Sequence, residues 1–182
     1  MRIIFLFILV TFGVKTVFSQ DIFKSTSCEI SFFSETPVEN IDAINKEGKA
    51  ILNIKTNELV FITSIIGFKF KKPLMEEHFN ENYMESDTYK TAHFKGQLIG
   101  NVDYLKDGEY AVKAKGILNI HGVDQEREIA GIITIKNGTI ELNSSFDVNL
   151  KDHKIKIPKM VIKNIAETVK VKIITSLLPK TN

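Results

Sequence analysis

Apolar and polar residues alternate along most of the chain, and this alternation limits the possible folds more than any other feature. In the clearest run, residues 139–149, one face carries Ile140, Leu142, Ser144, Phe146 and Val148, and the other face is polar. Residues 168–173 alternate in the same way. Because successive side chains of a strand point to opposite faces, a period of two predicts half-buried β-strands rather than helices.

Turn signals divide the alternating segments into strands of similar length. Asp107-Gly108 and Asn137-Gly138 suit type I′ turns, which need positive φ at both central residues, and Thr56-Asn57 and His121-Gly122 mark two further tight turns. We predict eight strands, near residues 27–34, 49–56, 58–71, 92–103, 109–120, 125–136, 139–150 and 167–177. Eight strands with short connections predict an antiparallel all-β fold, either a closed barrel or a sandwich.

Two segments depart from the period of two. Residues 38–46 predict a short helical or turn-like connection, and residues 73–84 predict a helix that begins with Pro73 at its first position. In this helix Met75, Phe79 and Tyr83 are four residues apart, so they form one apolar stripe, which either covers a barrel mouth or completes the core. The strand segment 59–66 is apolar on both faces and needs cover on both sides, for which a helical segment is the candidate on the outside.

The first nineteen residues have the features of a secretory signal. Arg2 precedes an apolar run, residues 3–14, and Val17 and Ser19 occupy the small-residue positions of a cleavage site. A run of about twelve residues is shorter than the ~20 that span a bilayer, so it is not a stable membrane anchor. We therefore expect residues 1–19 to be removed, and residues 20–182 to form a single exported domain in the periplasm or outside the cell.

The charge balance and the lack of chemical motifs exclude several classes of function. The chain has 24 basic and 22 acidic residues, and without Arg2 and Lys15 the numbers are equal, which argues against a nucleic-acid partner. Cys28 is the single cysteine and is expected to be a buried strand residue. The short signatures of zinc hydrolases, redox proteins, esterases and P-loop proteins are missing, and the four histidines are scattered. We predict no catalytic residue, metal site or cofactor, and a hydrolase is the least favoured class.

Aromatic residues are the remaining candidates for the lining of a binding site. Thirteen phenylalanines occur, and five of them cluster around residues 61–94. An eight-stranded barrel is just wide enough either to be filled by side chains or to hold one small ligand. From alternation and from this cluster, the candidate lining residues of a binding site are Phe61, Phe68, Phe70, Met75, Phe79, Tyr83, Phe94, Leu118 and Phe146.

Four sequence blocks carry a resemblance to a known family. They are residues 68–70, the block 74–86, residues 89–96 and the block 115–123, which ends in Ile120-His121-Gly122-Val123. In their order and spacing the chain resembles the YceI-like family of exported bacterial proteins from about Ser27 to Lys172. Lys90 departs from the proline that usually follows tyrosine in the family. The resemblance implies an extended lipocalin-like barrel that encloses a polyisoprenoid or another lipid chain.

Two hypotheses of function follow. The leading one is an exported, non-enzymatic protein that holds an isoprenoid-like lipid, such as a polyprenyl or quinone chain, or another apolar molecule. The alternative is a structural or adaptor barrel with a filled core that binds a partner protein on its surface. A continuous apolar tunnel favours the first hypothesis, and a solid core favours the second.

Overall fold

The computed structural model describes residues 21–36, 39–157 and 165–180, so the predicted signal segment lies outside the described residues. The described strands are β1 (Ile22–Ser34), β2 (Ile41–Asn45), β3 (Lys49–Asn53), β4 (Glu58–Ser64), β5 (Lys69–Phe70), β6 (Thr91–Ile99), β7 (Gly108–Ile120), β8 (Val123–Lys136), β9 (Thr139–Asn149) and β10 (Thr168–Pro179). Helix α1 (Pro73–His78) continues into a π-helical turn at Phe79–Tyr83, and 3₁₀ turns occupy Ile65–Gly67 and Leu150–His153.

Eight of these strands close into an antiparallel barrel. The ring runs β1-β3-β4-β6-β7-β8-β9-β10, and β10 then pairs with β1 from Phe23↔Pro179 to Phe33↔Lys170. Closure gives each strand of the ring two neighbours, which removes the exposed edges of an open sheet. The prediction of an all-β fold, an eight-stranded antiparallel lipocalin-like barrel with one or two short helices, is confirmed.

Strands β2 and β5 lengthen the wall at one end of the barrel. Strand β2 pairs with residues 30–34 of β1 in the same register in which β3 pairs with residues 22–24, so β2 and β3 are two halves of one interrupted strand. The prediction of a helical or turn-like connection at 38–46 is therefore wrong for its described part. Five residues are too few for a stable helix, and the edge of β1 offers them a strand partner instead.

The predicted strand 58–71 is likewise interrupted. The 3₁₀ turn Ile65–Gly67 separates β4 from β5, and β5 pairs with β2 at Ala43↔Phe70. The expectation that a helical segment covers the outside of this strand is also wrong. Ile62 and Ile66 stay 41% and 61% exposed, because α1 packs across the end of the barrel rather than along its wall.

The turn between β7 and β8 has the backbone geometry that the sequence predicts. His121 and Gly122 have φ values of 53° and 69°, so both central residues are left-handed. A Cβ atom on Gly122 would lie 2.6 Å from Cε1 of Tyr89. Gly122 is therefore required both by its φ and by a neighbouring ring.

Gly122→Val is expected to lower the free energy of unfolding by about 2 kcal/mol, because a β-branched residue is strained at this φ and also displaces Tyr89. The matched control is Gly138→Val, where φ is 76° but nothing lies within 4 Å of the added Cβ. Thermal melts should show a smaller loss for the control. Equal losses in the two variants would contradict a role for the Tyr89 contact.

Candidate apolar cavity

The barrel contains a cavity of about 320 Å³, partly open to solvent, at the end where α1 folds over it. The inward faces of β1, β4 and β6–β10 form its walls, and α1 with the π-helical turn forms its roof. This volume lies at the lower limit of the sites that hold small molecules, about 300–1,000 Å³. The barrel is thus hollow near α1.

All nine side chains that the sequence analysis singles out border this cavity. They are Phe61, Phe68, Phe70, Met75, Phe79, Tyr83, Phe94, Leu118 and Phe146. Alternation along β4, β6, β7 and β9 places four of them inward, and the helical spacing of 75, 79 and 83 places three in the roof. Their part in binding a ligand stays a prediction.

The aliphatic half of the lining was not singled out. It includes Ile30, Ile65, Leu98, Val112, Ala114, Ile129, Leu142, Val148, Val169, Val171 and Ile173, and Phe32 of β1 completes the aromatic part. The same alternation marks most of these positions as inward-facing. They are missing from the predicted lining because that prediction favoured aromatic residues.

Four phenylalanine rings pack together beneath α1, and we call them the Phe cluster: Phe32, Phe68, Phe70 and Phe79. The ring centroid of Phe79 lies 5.5 Å from that of Phe32, 5.6 Å from Phe68 and 5.0 Å from Phe70. Aromatic pairs at these separations each contribute roughly 0.5–1.5 kcal/mol beyond the burial of their area. The Phe cluster therefore holds the roof of the cavity against the β1 and β5 wall.

Polar contacts fix the start of α1 outside the cavity. Lys69 Nζ donates to Glu76 Oε1 over 2.6 Å, and this bond lowers the pKa of Glu76. Lys71 pairs with Asp42 of β2 over 3.0 Å, and Lys72 pairs with Glu39. All these groups are partly or largely exposed, so each ion pair contributes little to stability. The roof is held mainly by its apolar contacts.

Three serine and threonine side chains border the apolar cavity, and the hydroxyl groups of two of them have protein partners. Ser34 Oγ accepts from the backbone N–H of Ala166 over 3.0 Å, and Ser144 Oγ donates to the carbonyl of Ala130 over 2.7 Å. Thr63 is 6% exposed, and its Oγ1 is buried without a hydrogen-bond partner among the described residues. A buried hydroxyl without a partner costs about 1–3 kcal/mol, so Thr63 is an unsatisfied donor and acceptor at the cavity wall.

Six buried side chains fill the barrel beyond the far end of the cavity, and we call them the floor: Cys28, Leu52, Ile133, Ile140, Thr175 and Leu177. Each is 2% exposed or less, and none of them borders the cavity. Burial raises the pKa of the Cys28 thiol, as expected for an inert core cysteine. Beyond the floor the barrel is filled by its own side chains.

The two buried histidines lie beside the roof rather than in the cavity. His121 stacks on Tyr89 with ring centroids 4.2 Å apart, and its Nδ1 lies 3.2 Å from the carbonyl oxygen of His153. Nδ1 of His153 lies 3.3 Å from the carbonyl oxygen of Val123, and burial lowers the pKa of His153. These contacts tie the β7–β8 turn to the 3₁₀ turn after β9, which is a structural role.

The described part of the chain holds neither a cluster of metal ligands nor a helix that could span a membrane. Within residues 21–36, 39–157 and 165–180, no three His, Cys, Asp or Glu side chains converge as metal ligands. None of the helices in these ranges is long and apolar enough to cross a membrane.

Known proteins resemble this chain in sequence pattern and in fold. The family model of the YceI-like domain matches residues 11–177. A polyisoprenoid-binding domain from Saccharophagus degradans, implicated in plant cell wall breakdown, superimposes with a TM-score of 0.74 at 12% identity, over 87% of this chain and 98% of that domain. No curated protein is significantly similar to the chain in sequence.

Two further solved structures share the fold at similar distance. BcnA from Burkholderia cenocepacia has a TM-score of 0.65 at 10% identity and covers 82% of this chain and 95% of its own. The YceI protein of Campylobacter jejuni has a TM-score of 0.63 at 12% identity and covers 81% of this chain and 90% of its own. At these identities the likeness establishes the barrel architecture.

Proposed function

The chain belongs to the YceI-like family, and we propose that it binds an isoprenoid-like lipid, such as a polyprenyl or quinone chain, or another apolar molecule inside its barrel. The observation that carries this proposal is the apolar cavity of about 320 Å³ beneath α1. The fold neighbour from Saccharophagus degradans is described as a polyisoprenoid-binding domain, which supports the same class of ligand.

Burial of apolar carbon supplies the binding energy in this proposal. Each methylene taken out of water contributes about 0.8 kcal/mol, so ten buried carbons supply about 8 kcal/mol before the cost of association. Such a site needs shape and apolar walls rather than catalytic groups. We therefore propose a binding protein and not an enzyme.

The adaptor hypothesis requires a filled core. The barrel is filled only beyond the floor, and the half near α1 is hollow. Keeping an empty apolar cavity costs stability, by roughly 20 cal/mol per Å² of cavity surface. A cavity of this size with apolar walls is explained more simply by a guest molecule than by surface binding of a protein.

Filling the cavity tests the proposal. Ala114→Phe places a ring inside the cavity, because Ala114 faces inward on β7 and borders it. We expect the variant to lose saturable binding of farnesol in calorimetric titration by at least about tenfold, since the ring occupies volume that the ligand needs. Its thermal midpoint should change little, because the ring fills empty space.

Ala111→Phe is the matched control for this experiment. Ala111 lies three residues away on the same strand, but it is exposed on the outer face. The control should bind farnesol as the wild type does. Equal farnesol affinity in wild type, Ala114→Phe and Ala111→Phe would contradict binding inside the barrel.

We also propose that the protein is exported and that residues 1–19 are removed on the way. The short apolar run that ends in Val17-Phe18-Ser19 supports this proposal. Intact-mass measurement of protein recovered from outside the cytoplasm of a producing bacterium should give a chain that begins at Gln20. A mass that retains Met1 in exported protein would contradict it.

A further inference from the structure

The cavity has a closed far end, and this sets the size of what it can hold. We infer that it takes one apolar chain of about ten to twelve carbons, with a neutral polar group at Thr63 and the far end of the chain pointing toward the floor, whose packed side chains leave no space for a longer chain. This inference rests on the proposed function and adds to it the length and polarity of the ligand.

The lining stops short of the far end on β1, β8, β9 and β10, whereas on β4, β6 and β7 it reaches Leu59, Leu98 and Val112. Along β10, Ile173 borders the cavity, whereas the next inward residues, Thr175 and Leu177, do not. Along β9, the lining ends at Leu142 and the next inward residue, Ile140, is 1% exposed and lies outside it.

Strands β1 and β8 show the same limit. Ile30 borders the cavity and Cys28 does not, and Ile129 borders it while Ile133 is completely buried beyond it. Pairing places these end points side by side, because Cys28↔Thr175, Thr175↔Leu142 and Leu142↔Ile133 are direct cross-strand partners. On this side of the barrel, a continuous layer of side chains therefore lies beyond the cavity.

Two estimates of the ligand size agree. A methylene is about the size of a water molecule, which takes about 30 Å³ in the liquid, so 320 Å³ holds roughly ten to twelve of them. From Leu142 to Val148 the lined part of β9 is about 20 Å long, which for a strand tilted by about 40° is roughly 15 Å along the barrel axis. An extended hydrocarbon chain with C–C bonds of about 1.5 Å advances about 1.25 Å per carbon, so about 15 Å accommodates about twelve carbons.

The hydroxyl of Thr63 determines where the polar end of the ligand lies. This residue is the penultimate residue of β4, at the α1 end of the barrel, and its hydroxyl is buried at the cavity wall without a partner among the described residues. A hydroxyl or carbonyl oxygen of the ligand would satisfy it. Glu39, which borders this end, is paired with Lys72, and no lysine or arginine lines the cavity within the described residues, so a neutral polar group fits better than an anion.

A series of linear alcohols tests the length limit on the unaltered protein. From 1-octanol upward we expect the affinity to rise about fourfold for each added methylene, until the chain reaches about ten to twelve carbons, and then to stay flat or fall through 1-hexadecanol. A continued rise through 1-hexadecanol would overturn the inference while leaving the proposed function intact. If no alcohol of any length binds, the proposed function fails as well.

Variants of the floor and of Thr63 test the assignment to residues. Ile133→Ala should move the limit by about three carbons, whereas Ile132→Ala, on the exposed outer face of the same strand, should leave it unchanged. Ile140→Val removes a single methylene and should move the limit by about one carbon, which provides a test if Ile133→Ala does not fold. An unmoved limit in a folded floor variant would overturn the role of the floor.

Thr63→Val replaces the hydroxyl with a methyl group of the same shape. It should weaken 1-decanol binding about fivefold to tenfold, yet it should not lower the thermal midpoint of the ligand-free protein, because it removes an unsatisfied buried group. Unchanged affinity for 1-decanol would overturn the placement of the polar end.

Discussion

Gly116→Ala is expected to lower the free energy of unfolding by about 3 kcal/mol, at the upper end of what overpacking costs. Gly116 of β7 lies directly opposite Gly96 of β6 in the barrel wall. A Cβ atom at Gly116 would lie 2.2 Å from the carbonyl oxygen of Lys95 and 2.4 Å from Cα of Gly96. Both neighbours are backbone atoms, so relief requires the two strands to move apart, and the closed barrel resists this.

Gly108→Ala on the same strand is the control for this effect. A Cβ at Gly108 would meet nothing closer than 3.5 Å, and that contact is with the ring of Tyr110. In thermal melts we expect a drop of roughly 6–12 °C for Gly116→Ala and no drop for Gly108→Ala. Similar midpoints for the two variants would show that β6 and β7 do not approach as closely as described.

Phe79→Asp is expected to lower ligand retention by at least about tenfold while the barrel stays folded. Phe79 borders the cavity from the π-helical turn and packs in the Phe cluster. A carboxylate at this position must either take up a proton or keep water in the cavity, and both oppose the entry of an apolar chain. Loss of the ring contacts should also lower the free energy of unfolding by about 2 kcal/mol.

Leu74→Asp introduces the same charge on the same helix, at a side chain that is 60% exposed and outside the cavity lining. It should keep the wild-type amount of ligand. The paired readouts are co-purified apolar ligand per folded molecule and thermal midpoint. If Phe79→Asp lost stability but retained its ligand, Phe79 would be an ordinary core residue and not part of the binding cavity.

Local patterns were enough to predict the hairpin strands. The segments predicted at 109–120 and 139–150 agree with β7 (Gly108–Ile120) and β9 (Thr139–Asn149) to within one residue. Alternation and turn residues such as Gly122 act over a few positions, so they can be read without the rest of the fold. The tight turn at His121-Gly122 followed from the same local signal, and the structure shows that both of its central residues are left-handed.

Features that depend on distant partners could not be predicted in this way. Strand β2 forms because β1 offers it an edge, and nothing within residues 41–45 distinguishes a strand from a turn. Leu142 and Ile140 are both apolar and inward-facing on one strand, yet Leu142 borders the cavity and Ile140 lies outside it in the floor. Whether the barrel contains a cavity depends on how the side chains of all its strands pack together. No single segment of the sequence determines this packing.

The most direct test of lipid binding is the content of the cavity itself. Wild-type protein and Ala114→Phe are each exported by a producing bacterium and purified without detergent. Both are then extracted with organic solvent, and the two extracts are compared by mass spectrometry. We expect a neutral single-chain apolar molecule at up to one per wild-type protein, and we expect this molecule to be lost from Ala114→Phe. An extract that is the same for both proteins, or that contains no apolar molecule above the solvent blank, would contradict it.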